Sequence, residues 1–488
     1  MTHLNKIVPL FGFVFLVACT AAGGDEADAG PNSPPAVASA NANQSAFVGY
    51  EFEYDATQGG ATFSDADGDA LSYSFSFAPD SRGLAAAGGV ISGVPDGPGS
   101  LTVTMTATDG AGASASDEFV IDITIDQDAV LLAFEGAVNL SELENYAEPD
   151  IPDYITKFQD GNRVTDAAAT LGRVLFYDKS LSNNDEISCG FCHKQSLAFG
   201  DNVDYTFGQA GEQQRHTPRL VNAQYAEETN FFWNERVDSL EAQVTEPIHH
   251  PNELGFSGRL GQPDFADLVE KLEAIDYYEE LFRFVFLDPE ITEERLQIAL
   301  GQFVRSIVSY DSRWDEGRAQ VASVDDPFPN FTPDENSGKT LFTRTPAEGG
   351  AGCAACHRPP EFDIDPNAGH NGVVTVLDDE FSFDYENTRA PSLRDLAHGD
   401  GALNGPFMHD GAFDTLRAVI DHYDNLEVTD HADPAEFMAS LDERLQTGGS
   451  PQTLNLTETE KNQLEAYLLT LGGSALYTDP KWSSPFPE

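Results

Sequence analysis

Residues 189–193 read Cys-Gly-Phe-Cys-His, and residues 353–357 read Cys-Ala-Ala-Cys-His. These two strings lie 164 residues apart and take four of the five cysteines in a chain of 488 residues. A C-x-x-C-H string attaches haem covalently: both thiols add to the vinyl groups, and the adjacent His ligates the iron from the proximal side. Cys189, Cys192, Cys353 and Cys356 are therefore candidate attachment residues, with His193 and His357 as candidate iron ligands. The competing reading is zinc, with each C-x-x-C pair supplying half of a four-cysteine site. It does not explain the histidines. With 11 His in the chain, finding one after both pairs by chance has odds on the order of 1 in 2,000. A disulfide scaffold of this length would carry more cysteines, and not in tight pairs.

The text around the two strings is also repeated. Gly172-Arg-Val-Leu175-Phe176 precedes the first, and Gly338-Lys-Thr-Leu341-Phe342 precedes the second, as expected for two haem units folded separately and joined. After Asp128 the pattern is helical. Leu296, Leu300, Phe303, Ile307 and Trp314 fall on a helical stripe after Ile291-Thr292-Glu293, and Thr457 forms a capping box with Glu460 ahead of Leu464, Tyr467, Leu468 and Leu471. Before Asp128 the period is two: Leu101, Val103, Met105 and Ala107 alternate with threonines, and Phe119, Ile121, Ile123 and Ile125 alternate with Val120, Asp122 and Thr124. Turn clusters at strand-like intervals predict a β-sandwich. The fold class is thus multidomain: an all-β immunoglobulin- or cadherin-like sandwich, then a mainly α dihaem domain made of two cytochrome c-like halves.

The chain opens with Lys6 and an apolar run over residues 7–18, too short to span a bilayer and suited to a secretory signal. It ends Leu16-Val17-Ala18-Cys19, which resembles a bacterial lipobox and implies cleavage before Cys19 and its lipidation. The divisions are then a signal peptide at 1–18, a flexible linker at 19–44, the sandwich at 45–127, an N-terminal haem half at 140–330 and a C-terminal haem half at 331–475. This places the protein in the periplasm, lipid-anchored through Cys19, most naturally to the outer membrane. A formal net charge of −56, from 26 Lys+Arg against 82 Asp+Glu, excludes nucleic acid as a partner. Within the sandwich, the run containing Asp65, Asp67 and Asp69 resembles that of cadherin-like surface modules, some of which bind calcium. EF-hand spacing fails, because Ala70 stands where Gly is required and Ser76 where Glu is, so an acidic hairpin turn is the plainer reading.

The sixth iron position separates an electron carrier from an enzyme. Met408, in Gly405-Pro-Phe-Met-His-Asp-Gly411, lies 51 residues beyond His357, in a chain with four methionines. A thioether ligand stabilises ferrous iron and raises its potential, so Met408 is the candidate sixth ligand of the second haem, with His409 its rival.

At this point the strings LFYDKSLS (175–182), FFWNERVDSLEAQ (231–243), EPIHHPNELG (246–255), APSLRD (390–395) and GPFMHDGAFDTL (405–416) carry a resemblance. Residues 140–475 resemble the bacterial dihaem cytochrome c peroxidases. The resemblance implies two covalent haems c, with hydrogen peroxide reacting at the N-terminal one. The C-terminal haem would collect electrons from a small periplasmic donor, a cytochrome c or cupredoxin, with Trp233 between the two. It carries Gln243 and Glu253 into the peroxide pocket: Glu253 as the carboxylate that relays a proton between the peroxide oxygens, Gln243 as the amide that orients them. The neighbouring His249 and His250 could line the pocket, but surface histidines beside Pro251 are the plainer reading. The resemblance also implies a calcium ion between the halves, where this chain has His216 in the place of an Asn ligand, and a possible homodimer. One departure stands out. Many of these peroxidases carry a removable distal His in the loop after the first C-x-x-C-H, whereas Thr206–Gly211 holds none before His216, so the first haem is expected to be five-coordinate or water-bound. The alternatives are a dihaem oxidase that modifies Trp or Tyr on a partner protein, and a non-enzymatic dihaem electron carrier.

Overall fold

A computed structural model describes residues 31–158, 161–227, 229–376, 383–428 and 433–487. The leader, Cys19 and the first part of the linker lie outside the described residues. The chain divides into two compact units, one holding Glu53–Gly93 and Ser100–Asp122, the other Ile123–Glu488 with two short segments, Ser45–Phe52 and Val94–Gly99.

The strands are β1 (Ala36–Val37), β2 (Gln44–Phe47), β3 (Phe52–Asp55), β4 (Phe63–Ser64), β5 (Ser72–Ala78), β6 (Leu84–Ala87), β7 (Val90–Gly93), β8 (Gly99–Thr108) and β9 (Ser114–Thr124). One sheet has the order β2-β9-β8-β5, a second β3-β7-β6, and β1 pairs with β4. The period-two reading locates the core: Leu101, Val103, Met105 and Ala107 on β8 and Phe119, Ile121 and Ile123 on β9 are buried, while their neighbours face outward. The Asp65 carboxylate accepts from the amides of Asp67 at 2.9 Å and Asp69 at 3.3 Å, closing an acidic turn between β4 and β5. Among the described residues, no group of three or more His, Cys, Asp or Glu is arranged to hold a metal ion.

The helical unit comprises α1 (Asp128–Phe134), α2 (Asp166–Tyr177), α3 (Cys189–Cys192), α4 (Leu240–His249), α5 (Phe265–Glu273), α6 (Asp276–Phe286), α7 (Glu293–Ser306), α8 (Arg313–Arg318), α9 (Pro333–Thr343), α10 (Leu416–Asp424), α11 (Pro434–Ser440) and α12 (Glu458–Leu468). Its frame is a duplicated helix crossing, α2 on α7 and α9 on α12. The repeated glycines explain the crossing. A Cβ on Gly172 would stand 2.0 Å from the Ala299 carbonyl oxygen of α7, and one on Gly338 would stand 1.9 Å from that of Gln463 on α12. Only a residue without a side chain lets the two backbones meet so closely. Four residues on, Phe176 and Phe342 turn into the two cavities described below.

Each crossing has its own apolar core, with Leu171, Val174, Leu300 and Phe303 in the first and Trp314, Phe342, Phe362 and Tyr467 in the second. Thr457 and Glu460 cap α12 reciprocally, as the sequence predicts. Trp314 departs from expectation: α7 stops at Ser306, Ser312 caps a separate helix α8, and Trp314 belongs to the second core rather than to the α7 stripe. The first core extends beyond residues 140–330. Val130 and Phe134 of α1 join it, and so do Leu476 and Trp482. The C-terminal segment is tied there by Tyr146 Oη to Lys481 O at 2.6 Å, Tyr177 Oη to Trp482 O at 2.6 Å and Arg173 Nε to Ser483 O at 2.7 Å. Among the described residues, no helix is long and apolar enough to cross a membrane.

One buried ion pair braces the second half. The Arg394 guanidinium meets both Asp315 oxygens, at 2.9 and 3.0 Å, and stands over Tyr310, Trp314 and Phe362. Burial works against ionisation of Asp315, but Arg394, Ser312 and Tyr154 outweigh it and hold the carboxyl below its ordinary range. Asp315→Ala leaves an uncompensated guanidinium in the core and is expected to cost about 3–5 kcal/mol, read as a lowered urea midpoint at unchanged slope.

Candidate haem sites and the wall between them

Two cavities open beside the two C-x-x-C-H strings. The first, about 450 Å³, is lined by Cys189, Cys192, His193, Trp233, Gln243, His250 and Glu253; the second, about 380 Å³, by Cys353, Cys356, His357, Met408 and His409. The structure thus gathers the candidate haem-site residues into two groups; it brings His250, read as a surface residue, to the wall of the first cavity and leaves His249 out, paired with Glu293 at 2.8 Å and packed on Phe265.

Several features of the walls fit a thioether-linked haem. All four cysteines are unpaired, and burial pushes their thiols up, to about 12 for Cys189, Cys192 and Cys353 and about 11 for Cys356. Gly190 lies flat on Tyr177, whose ring a Cβ would meet at 2.5 Å. His193 donates through Nδ1 to the Phe199 carbonyl at 2.8 Å, a hydrogen bond of the kind that orients a metal-ligating imidazole whose other nitrogen, Nε2, is the ligand atom. Burial lowers the basicity of both histidines, His357 to about 4, so both are neutral as an iron ligand must be. His357 Nδ1 is buried with no hydrogen-bond partner.

The contents of the two cavities differ in one decisive position. A shift of 176 residues lays Phe231 on Phe407, Val237 on Phe413 and Ser239 on Thr415. The structure repeats that register: Phe231 bridges Val237, Phe407 bridges Phe413, and Ser239 and Thr415 cap α4 and α10. In this register Phe232 matches Met408, and both hold a left-handed backbone, at φ 68° and 74°. The left-handed region is uncommon for a non-glycine residue, and its recurrence at these two matched positions marks them as the same turn built twice. The Met408 sulfur accepts from Asn371 Nδ2 at 3.5 Å inside the second cavity, while Phe232, at the same station in the first, offers only a ring. The Arg236 guanidinium caps that ring at 3.4 Å. Sequence reading missed Phe232 and Arg236; setting the two quoted strings in register would have found both.

Trp233 then matches His409, and their rings approach to 6.3 Å. Trp233, His216, Thr217 and Pro218 line both cavities. The Trp233 indole donates to the His216 carbonyl at 2.7 Å, its own carbonyl accepts from Thr388 and Arg389 at 3.0 and 3.1 Å, and the His216 amide donates to the His409 carbonyl at 2.7 Å. His216 Nδ1 is engaged by the Val203 carbonyl at 2.9 Å. The partition is therefore hydrogen-bonded from both halves.

Glu253 stands in the first cavity just beyond α4, its side chain 27% exposed, with His250 Nδ1 at 3.6 Å. Burial pushes its carboxyl up to about 7; Arg236 pulls against the shift and Glu246 adds to it. Its backbone is pinned, N–H to the His250 carbonyl at 3.2 Å and carbonyl from the Gln209 amide at 2.9 Å. Gln243 faces the same cavity from the first turns of α4.

A family model for the di-haem cytochrome c peroxidases matches residues 166–321, and one for a putative Ig domain matches residues 34–124. The methylamine utilization protein MauG of Methylorubrum extorquens is 32% identical over 327 residues, 64% of this chain and 79% of that protein. The chain belongs to the di-haem cytochrome c peroxidase family. Within that family it is also similar to the cytochrome c551 peroxidase of Nitrosomonas europaea, at 26% identity over 52% of this chain and 71% of that one. Among solved structures it resembles a MauG-like protein associated with microbial copper homeostasis, with 28% identity and a TM-score of 0.54, covering 69% of this chain and 99% of that one. As in other di-haem peroxidases, the cofactor is a pair of c-type haems, and here an Ig-like β domain precedes the helical unit.

Proposed function

We propose that this protein is a peroxidase that reduces hydrogen peroxide to two waters, taking two protons and two electrons from outside the site. The observation that carries the reading is the contrast at one duplicated station, Met408 in the second cavity against Phe232 in the first. Haem c, bound through Cys189–Cys192 with His193 and through Cys353–Cys356 with His357, supplies the redox chemistry when present. The residues of the chain do the rest. Gln243 donates an amide N–H that holds the peroxide in line. Glu253, poised near neutrality, takes the proton from one peroxide oxygen and returns it to the leaving one, so that water rather than hydroxide departs. Phe232 would offer the haem of the first cavity no ligand atom, and Met408 would offer that of the second a thioether, which favours an electron store. Trp233, aromatic and common to both walls, is the conduit for electrons between the halves.

The reading extends to a periplasmic location with a lipid anchor at Cys19, a small redox protein as donor, and a homodimer. Calcium would be sought at Asp65–Asp69 and at the His216 wall by dialysis of the holoprotein. The test of the function is a pyridine haemochrome count of two haems c per chain, followed by stopped-flow mixing with peroxide and a reduced cytochrome. Rapid donor oxidation is the expected result. Turnover that requires a protein substrate would support the oxidase reading instead, and no reaction would leave an electron carrier.

A further inference from the structure

Arg219 is a buried cation that the protein itself does not neutralise. The residue is 9% exposed, its Nε has no hydrogen-bond partner, and Nη2 donates only to the Ser392 carbonyl, at 3.2 Å. Among the described residues no carboxylate lies within 4.0 Å of the guanidinium. The carboxyl whose charge acts on it, Asp395, is engaged elsewhere: it accepts from the hydroxyl of Tyr477, a neutral phenol, at 3.0 Å and from the Gly473 amide at 2.9 Å. Burial alone lowers its pKa to about 10. A guanidinium held in this way costs the fold several kcal/mol unless an anion meets it.

The chain path shows where that anion comes from. Thr217 and Pro218 line both cavities; after them Leu220 faces the first cavity and Arg219 the second, the alternation of an extended segment. Arg219 thus leaves the first haem half and enters the wall that holds Cys353, Cys356, His357 and Met408. Arg444, in the same wall, is already paired with Asp442 and Asp365. Resting on the two-haem reading above, we propose that Arg219 binds a propionate of the haem carried by the second half, so that a side chain of one half neutralises and tunes the cofactor of the other. A fixed positive charge beside that haem favours its ferrous form and raises its potential.

The test uses full-length holoprotein with two haems per chain, in the wild type, Arg219→Gln and Arg219→Lys, titrated by spectroelectrochemistry. In Arg219→Gln the ferrous-to-ferric ratio of the C-terminal haem at fixed potential should fall about tenfold, a drop of about 59 mV, and Arg219→Lys should recover most of it. An unchanged C-terminal midpoint in Arg219→Gln, or a shift confined to the N-terminal haem, overturns the proposal. Should the Gln variant fail to mature, an experimental structure of the wild-type holoprotein decides: every Arg219 nitrogen more than about 4 Å from any propionate oxygen, beyond the reach of an ion pair, overturns it as well. Wild-type protein without haem would remove the functional reading itself.

Discussion

Glu253→Gln should slow the reaction with peroxide by about 10²–10⁴ while leaving both haem spectra and the haem count intact. Glutamine keeps the shape and a hydrogen-bonding oxygen but can neither accept nor return a proton. The pH profile separates this role from a structural one. With its carboxyl raised to about 7, Glu253 is ionised above that pH and protonated below it. Only the ionised form accepts the peroxide proton, so kcat/KM in the wild type should fall about tenfold per pH unit below about 7 and level off above it. The variant should lose that inflection. An unchanged rate would remove Glu253 from the mechanism, and a lowered rate with the inflection preserved would assign the titration to another group.

The second large effect is expected from Phe232→Met. The position already has the left-handed backbone, the bridge and the following helix cap that present Met408 in the other half. A thioether there should convert the first haem from high-spin to low-spin, visible in the oxidised EPR spectrum. If the introduced thioether is bound in about 99% of molecules, about 1% remains open, and the apparent affinity for peroxide falls about 10²-fold. The expected picture is two similar haems and an electron carrier in place of an enzyme. A first haem that stays high-spin in this variant would show that the shared backbone does not aim the side chain at the iron.

Much of this architecture is legible in the sequence. The C-x-x-C-H strings locate both cavities because covalent attachment demands contiguous residues, and the alternation over 101–107 locates a sheet because strand period is local. The glycines of the repeated pre-motif string read as a repeat before their reason is visible; the reason is a carbonyl on another helix, over 120 residues away. What stays hidden is set by tertiary environment. Nothing local distinguishes Arg219, buried without a carboxylate, from Arg394, buried with one, and nothing local raises Glu253 above an ordinary surface glutamate. Trp314 misleads for the opposite reason: its spacing fits the α7 stripe, yet Ser312 restarts the helix and sends the ring into the other core.

Leu476 and Trp482 pack into the first core although they follow the second in sequence. The two haem halves are therefore nested rather than serial. The first begins near α1, is interrupted after α7 by the whole of the second, and is completed only when the chain returns, with Trp482 Nε1 donating to the Ser306 carbonyl at 3.1 Å, at the very point of departure. Proteolysis near residue 330, the obvious boundary between two homologous pieces, would release no self-sufficient fragment on its N-terminal side: the host would lack the plug that seals it, while the guest would carry that plug away.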